Sequence, residues 1–245
     1  MQRLRLIGLG MLALMTPAPA AAQSEVPPVA SVFGAPIRCS DLKAQDPVSC
    51  AAGLVRYVHA KVAAAFIARH RLQATSGELE RLKDYNRAFE RHDRSQRARK
   101  LAELETRLAS GTLAPNERAW LEEFHATLLR MARYEADLDA GIETREPVEE
   151  ATLRGWIETA KLNAALYAQY GGSIGIEPYG PYAHGAMRTL IQDHVERGDI
   201  HLLDAVVAQR FVAALEAPPR MAHTGGEPDF TPFWERPIPP SYMPY

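Results

Sequence analysis

The sequence predicts an all-α protein: a helical domain with a short extended N-terminal element and a long antiparallel helical hairpin. Beyond residue 46, apolar residues recur every three or four positions almost without interruption, which is typical of amphipathic helices rather than strands. The length of 245 residues suits one domain with extensions. Hydrophobic residues make up 47% of the chain, which is too much for a wholly disordered protein.

The charge of the chain is nearly balanced, with 28 Lys and Arg against 30 Asp and Glu. This balance gives no general attraction for nucleic acids or anionic membranes, and we expect neither nucleic-acid binding nor stable membrane insertion. One basic run has acidic residues interleaved with it, and we interpret it as a solvated helix face. Its residues are Arg91, Arg94, Arg97, Arg99 and Lys100.

Residues Met1–Ala22 have the three parts of a secretory signal peptide. A positive start precedes the apolar segment Leu6–Met15, which is too short to span a bilayer, and Ala20–Ala22 supplies the small residues of a cleavage site. We expect cleavage before Gln23 and a periplasmic location, with an uncleaved anchor as the alternative. Residues 23–30 then form a flexible leader, since they are polar and contain proline.

Cys39 and Cys50 are the only cysteines of the chain. In an oxidising compartment such a pair is expected to form a disulfide. Closing so short a loop contributes about 2–3 kcal/mol to stability. A catalytic thiol is the alternative, but neither cysteine has a His or Asn signature of that kind in the sequence.

Capping signals predict where the first two helices begin. Asp46 followed by Pro47 predicts the start of a helix that ends around Arg71 and buries one stripe of apolar residues. Thr75 and Glu78 have the spacing of a capping box and open a second helix, which ends at Ser110-Gly111. The buried stripe of the first helix consists of Leu54, Val58, Val62 and Phe66.

A third helix is predicted between Pro115 and Gly141. Its apolar residues repeat with a period near 3.5, which favours packing against the preceding helix as an antiparallel hairpin, because the loop between them is short. Each helix of this hairpin would be about 40 Å long at the rise of an α-helix. The repeating residues are Trp120, Leu121, Phe124, Leu128, Met131 and Leu138.

Three more helices are predicted after the hairpin, followed by a tail. They run from Pro147 to about Tyr170, from Pro181 to Gly198 and from Leu202 to Leu215. We therefore assign residues 31–217 to the helical domain. Residues 218–245 are rich in proline and aromatic side chains and form a tail that is either loose or laid over the body.

The order of features near the N-terminus resembles a known family. The segment VFGAPIRCSDL (Val32–Leu42) precedes the apolar helix, short loop and capping-box helix of Leu54–Leu82. This order resembles the N-terminal domain of SurA-like periplasmic chaperones. The resemblance implies a non-enzymatic helical domain that binds extended segments of unfolded or partly folded exported proteins without a cofactor. It also implies that a later helix, either Leu153–Tyr170 or Leu202–Leu215, packs beside the first ones.

The segment Gly171–Gly180, GGSIGIEPYG, is similar to a short stretch of the parvulin prolyl isomerases. A parvulin domain needs about 90 residues with a four-stranded sheet, and the helical pattern that follows this segment does not fit one. The segment also lacks the GK[ST] of a phosphate-binding loop. We interpret it as a helix C-cap and turn.

The sequence offers no set of catalytic, cofactor-binding or metal-binding residues. The eight His residues lack the spacings of metal sites, and no nucleophile stands in a recognisable motif. Aromatic residues near the end of the domain are the remaining signal, and four tyrosines are candidate peptide contacts. Alternatively, they close the core at helix ends while the tail covers an apolar groove. These tyrosines are Tyr167, Tyr170, Tyr179 and Tyr182.

The sequence therefore predicts a periplasmic polypeptide-binding protein, either a chaperone or an assembly factor for exported proteins. This expectation depends mainly on the family resemblance. A prolyl-isomerase-related enzyme and a structural subunit of an envelope complex are the alternatives. A tail that occupies its own groove would act as an inhibitory segment.

Overall fold

The computed structural model of the protein describes residues 26–178 and 180–240. The fold is mostly helical, with 62% helix and 7% strand, which confirms a predominantly α-helical class with a small antiparallel sheet. The predicted signal peptide and its cleavage site before Gln23 lie outside the described residues, as do Tyr179 and residues 241–245.

The elements follow one another in a simple order. They are β1 (Ala30–Val32), β2 (Ala35–Ile37), α1 (Pro47–His70), α2 (Ser76–Ala109), α3 (Pro115–Asp139), α4 (Glu150–Tyr170), β3 (Gly175–Glu177), β4 (Gly180–Tyr182), α5 (His184–Glu196), β5 (Ile200–Leu202), α6 (Ala205–Glu216) and a 3₁₀ turn (Phe233–Glu235).

The small sheet joins the two ends of the helical domain. Its antiparallel strand order is β2-β1-β5, and Val32 pairs with Ile200 from far along the chain. The turn between β1 and β2 is made by Phe33 and Gly34, which both have positive φ. Pro36 is part of the edge strand β2, where its missing amide costs no ladder bond.

The predicted leader ends earlier than residue 30. Val29 and Ala30 are buried, and Ala30 pairs with Ile37 and Leu202. The Val29 amide donates to the Ile37 carbonyl at 2.8 Å. These two residues therefore belong to the sheet.

Helix α1 is the centre of the main core. The Asp46 side chain caps its first turn, and the predicted stripe from Leu54 to Phe66 is buried. The helix packs against α6, and also against α4 and α5. Cys39 and Cys50 lie at disulfide-bonding distance, with Cα atoms 5.1 Å apart, and tie the loop before α1 to its first turn.

Helix α1 also has the length and composition of a membrane span, although we expected no stable membrane insertion. Core helices of water-soluble proteins meet the same criterion. Here, one face of α1 is occupied by core contacts, with Val58 and Val62 fully buried. The finding is therefore weak evidence for membrane insertion.

Helices α2 and α3 pack side by side. The capping box of Thr75 and Glu78 is confirmed, and α2 runs without interruption through the polar stretch. The apolar contact between the two helices is made mainly by Leu104, Leu121 and Leu128.

One residue of the basic run corrects our interpretation of a solvated face. The Arg97 side chain is only 3% exposed, between Asp93 on its own helix and Glu135 on α3. Its Nη1 lies 2.5 Å from the Glu135 carboxylate. Residues of the same run such as Arg91 and Arg99 are exposed, as predicted.

Helix α5 begins at His184 rather than at Pro181 as we predicted. The reason is a second sheet of two strands, β3 and β4, in which Pro181 pairs with Ile176. Gly171 ends α4 with a positive φ of 63°, which confirms a helix C-cap at the start of the GGSIG segment. The C-terminal segment is laid over α2 and α4, where Trp234 is buried.

Candidate functional site

A groove beside α4 is lined mainly by aromatic side chains, which come from three parts of the chain. Trp156 and Asn163 come from α4, Tyr182 from β4, and Phe230 and Trp234 from the C-terminal segment. The remaining cavity has a volume of about 160 Å³. We call the surface lined by Trp156, Asn163 and Tyr182, on which Phe230 and Trp234 lie, the aromatic groove.

Asn163 fixes one side of the aromatic groove. Its side chain is 6% exposed on an otherwise apolar face of α4. Its Oδ1 accepts a hydrogen bond of 3.1 Å from the amide of Ala183, the residue that precedes α5. A buried amide side chain needs such a partner, and this bond sets the point at which β4 gives way to α5.

Two glycines bring the β3–β4 hairpin close to the start of α5. Gly172 has a φ of +92°, and its backbone touches that of Gly185. A Cβ at Gly185 would lie 2.5 Å from the Ser173 nitrogen, which no native packing tolerates. The Gly185 amide donates to the Ser173 carbonyl at 2.8 Å, so the contact is both tight and hydrogen-bonded. The GGSIG segment therefore has a packing role at this contact.

Tyr182 is the polar centre of the site. Its hydroxyl lies 2.5 Å from Nε2 of His59 on α1. Burial, and then the charge of Glu177, raise the pKa of Tyr182. Burial, and then the charge of His184, lower the pKa of His59. At neutral pH a neutral imidazole therefore faces a protonated phenol, which suits a stable hydrogen bond and not a nucleophile.

A second cavity also borders Tyr182. Its volume is about 500 Å³, and its lining is mostly apolar, with Pro218, Pro219 and Met221 from the chain after α6. His184 contributes to this lining, and burial lowers its pKa. The buried Nδ1 of His184 has no hydrogen-bond partner within the described part of the chain.

The C-terminal segment covers the groove with aromatic side chains. Phe230 lies against Tyr167 with ring centroids 5.2 Å apart, and Phe233 lies against Tyr85 at 5.5 Å. Trp234 enters an apolar cluster between α2 and α4. Its partners there are Leu79, Leu82, Leu153 and Ile157.

A short polar loop holds this segment in shape. Arg236 donates to the carbonyl oxygens of Thr231 and Asp229 at 2.9 and 3.0 Å, and the Thr231 amide donates to the Asp229 carboxylate. The loop thereby presents Phe230, Phe233 and Trp234 toward the body without regular secondary structure around Phe230.

The four predicted tyrosines do not form one cluster. Tyr167 and Tyr182 lie at the site, whereas Tyr170 faces α5, where burial and the carboxylate of Asp193 raise its pKa. Tyr179 lies outside the described residues.

Our reading of the sequence did not include three residues of the site, Trp156, Asn163 and His59. Asn163 carried a signal, because a lone amide within an apolar helical stripe must find a buried partner. The other two depend on which helices meet at Tyr182.

The lining of the site is mainly aromatic and apolar. Within residues 26–178 and 180–240, no group of three or more His, Cys, Asp or Glu side chains is placed to hold a metal ion. The site combines aromatic faces, prolines and few polar contacts, a composition typical of protein-binding surfaces.

Comparison of the chain with family models, curated proteins and solved structures gives no match.

Proposed function

We propose that this chain is a periplasmic polypeptide-binding protein that acts as a chaperone or assembly factor for exported proteins. One observation carries the proposal: the surface between α2 and α4 already holds an irregular, aromatic segment of polypeptide, the chain's own residues 230–236. The resemblance to SurA-like N-terminal domains supports the same function, and the cysteine pair is consistent with an oxidising compartment.

The C-terminal segment indicates the chemistry of a client. Its three aromatic side chains occupy three adjacent positions, on Tyr167, on Tyr85 and within the cluster around Leu82. Burial of one such side chain contributes about 1.5–3 kcal/mol, so an unfolded segment with similarly spaced aromatic residues would bind in the same place. Folded proteins keep such residues inside, and the site would therefore select unfolded clients.

The same segment is expected to restrain client binding. A tethered segment has an effective concentration in the millimolar range, and a client must displace it. The proposal therefore includes an inhibitory tail, in which release of residues 225–240 exposes the aromatic groove.

We also propose that helices α2 and α3 form a projecting antiparallel hairpin. Three ion pairs support it: Arg107 with Glu117 near the connecting loop, Arg97 with Glu135, and Arg94 with Asp139 at 2.7 Å. Their order along the two helices is that of antiparallel neighbours. We call the part from residue 90 to residue 139 the arm.

Aggregation suppression tests the function. A chemically denatured client is diluted into buffer with a stoichiometric amount of the mature chain, and light scattering is followed. The chain should delay aggregation without a nucleotide or metal. Truncation after residue 224, which keeps the hydrogen bonds of Ile176 and Ile174 to the chain at 221 and 223, should increase the delay.

A control variant changes an exposed side chain just before the truncated segment, outside the aromatic groove. Met221→Ala alters an exposed side chain and should behave as the parent chain does. If neither the parent nor the truncated chain delays aggregation, the proposal is wrong. A proline-isomerisation assay then tests the enzymatic alternative, and a crosslinking pull-down tests the subunit alternative.

A further inference from the structure

The chain after α6 pairs with one edge of β3. The Ile176 amide donates to the Met221 carbonyl at 2.8 Å, and the His223 amide donates to the Ile174 carbonyl at 2.9 Å, in antiparallel order. The opposite edge of β3 pairs with β4. We call the edge of β3 that faces residues 219–223 the outer edge. Main-chain groups hold the segment there, and every polypeptide offers the same groups.

The side chains in the middle of this segment contribute little to the contact. Arg220 and Ala222 are exposed, and the exposed fraction of Met221 is 64%. The contact therefore depends on an extended backbone and not on these side chains. Strand addition has this property, because an extended segment of another polypeptide takes its place beside an existing strand through main-chain hydrogen bonds.

The outer edge also has room for a proline ring. A Cβ on Gly175 would stand 3.0 Å from the Cβ of Pro219, so the missing side chain on β3 admits this ring. Pro219 and Tyr182 line the same cavity, and aromatic surfaces are common partners of proline in extended peptides. Pro219 lies two positions before the residue whose carbonyl accepts the Ile176 amide. The outer edge therefore favours proline at that position.

The chain's own segment fills this place incompletely. A cavity of about 500 Å³ remains beside it, with His184 and Tyr182 in its lining. A segment with larger side chains would fill part of this cavity and gain contacts that residues 218–223 do not make. A better-fitting segment of another chain can therefore displace the chain's own.

We propose that the outer edge of β3 is a strand-addition site for extended, proline-containing segments of client proteins. Residues 218–223 occupy it when no client is bound. Unfolded chains offer such segments, because their backbone is free to pair and their proline-rich parts are already extended. Since the proposal rests on the proposed function and names a class of client for it, its test is separate from the aggregation assay.

Peptide binding to an opened outer edge tests the site. In the full-length chain, Pro219→Gly with His223→Pro removes the proline contact and one hydrogen-bond donor from the chain's own segment and leaves β3 unchanged. A fluorescent peptide of residues 216–225 is then added, and anisotropy measures its dissociation constant. It should bind about tenfold or more tightly than a peptide with the same two substitutions, which lacks both contacts.

Two side-chain changes serve as matched controls. A peptide with Arg220→Ala and Met221→Ala should bind as the parent peptide does, since both side chains are exposed. Gly175→Ala in the opened chain should weaken binding of the parent peptide by about tenfold, because the new Cβ crowds the proline ring.

Nuclear magnetic resonance places the peptide on the chain. The amide signal of Ile176 should shift on binding, and excess peptide should shift the same signal in the unsubstituted chain, so this readout does not depend on the folding of a variant. A parent peptide that binds no better than the substituted one overturns the proposal, as does binding that leaves the Ile176 signal unchanged.

The two proposals fail in different ways. If the chain delays aggregation but the peptide does not bind at β3, the strand-addition site is wrong and the proposed function stands. If the peptide binds at β3 and the chain does not delay aggregation, the site stands and the chaperone function is wrong.

Discussion

The body and the arm are both mainly helical, but different interactions hold them together. In the body, by which we mean β1, β2, β5, α1 and α4–α6, one large cluster buries side chains from all of these elements, with Leu54 and Phe211 almost fully enclosed. In the arm, the apolar contact is a short row around Leu104 and Leu121, and the buried Arg97 and its carboxylates supply much of the remaining contact. The difference indicates that the arm opens locally at a lower free energy than the body.

Matched leucine substitutions give the largest expected difference. Leu54→Ala in the body removes a side chain with no exposure and should lower the free energy of global unfolding by about 3–5 kcal/mol. Leu121→Ala in the arm, which is 1% exposed, should lower mainly the free energy of local opening. Urea denaturation measures the first effect and hydrogen exchange of α3 the second. Equal losses of global stability would show that the two regions unfold together.

Removal of the buried Arg97 side chain is expected to have the second-largest effect on stability. Arg97→Ala leaves the carboxylate of Glu135, which is 18% exposed, with only the more distant Arg94 as a cation, 3.8 Å away, and should destabilise the arm by about 3 kcal/mol. Arg97→Met keeps the packing of the side chain and should cost less. Arg99→Ala, on the exposed face of the same helix, is the control. Hydrogen exchange of α2 and α3 should detect the change, and protection of α1 should not alter.

A pair of glycines tests the packing of the site within the body. Gly185→Ala places a Cβ 2.5 Å from the Ser173 nitrogen and should lower the free energy of unfolding by about 1–3 kcal/mol. Gly155→Ala, in α4, meets nothing within 4 Å and should stabilise the chain by about 0.5–1 kcal/mol. Thermal unfolding distinguishes the two, and a Gly185→Ala variant as stable as the parent would contradict the close contact.

The smallest change in stability is expected from Glu78, in the first turn of α2. Burial raises the pKa of the Glu78 carboxyl. Hydrogen bonds from the amide and hydroxyl of Thr75 and from Lys161 outweigh burial and lower this pKa from 4.5 to about 2. Because the pKa is lower in the folded state, this carboxylate stabilises the fold above pH 4.5, and the contribution is lost as the pH falls toward 2. Glu78→Gln should weaken this acid dependence of stability, whereas Glu80→Gln should not.

Local signals in the sequence predicted most of the helices. The caps at Asp46 and Thr75 act within one turn, so the starts of α1 and α2 could be placed correctly. The pairing of β1 with β5 was missed, because three-residue strands show no periodicity and Ile200 meets Val32 only in the folded chain. The burial of Arg97 was missed for the same reason, since it depends on Glu135.

The site was predicted in part. The aromatic and proline-rich composition of the C-terminal segment indicated a surface for packing, and the structure lays Phe230 on Tyr167. Composition could not indicate that Asn163 would meet the Ala183 amide, or that His59 would meet Tyr182, because each bond joins elements far apart in the chain. Signals within a single helix, such as caps and apolar stripes, could be recognised in the sequence. Hydrogen bonds between different elements could not.

Peptide binding in trans tests the central claim, that the aromatic groove receives an irregular aromatic segment. A full-length chain with Phe230→Ser, Phe233→Ser and Trp234→Ser leaves the groove open, and a fluorescent peptide of residues 226–240 is added to it. The account predicts saturable binding, competition by an unfolded client, and recovery of thermal stability on binding. A peptide with the same three serine substitutions should not bind. If the parent peptide binds no better than the substituted one, the groove does not receive polypeptide and the account is wrong.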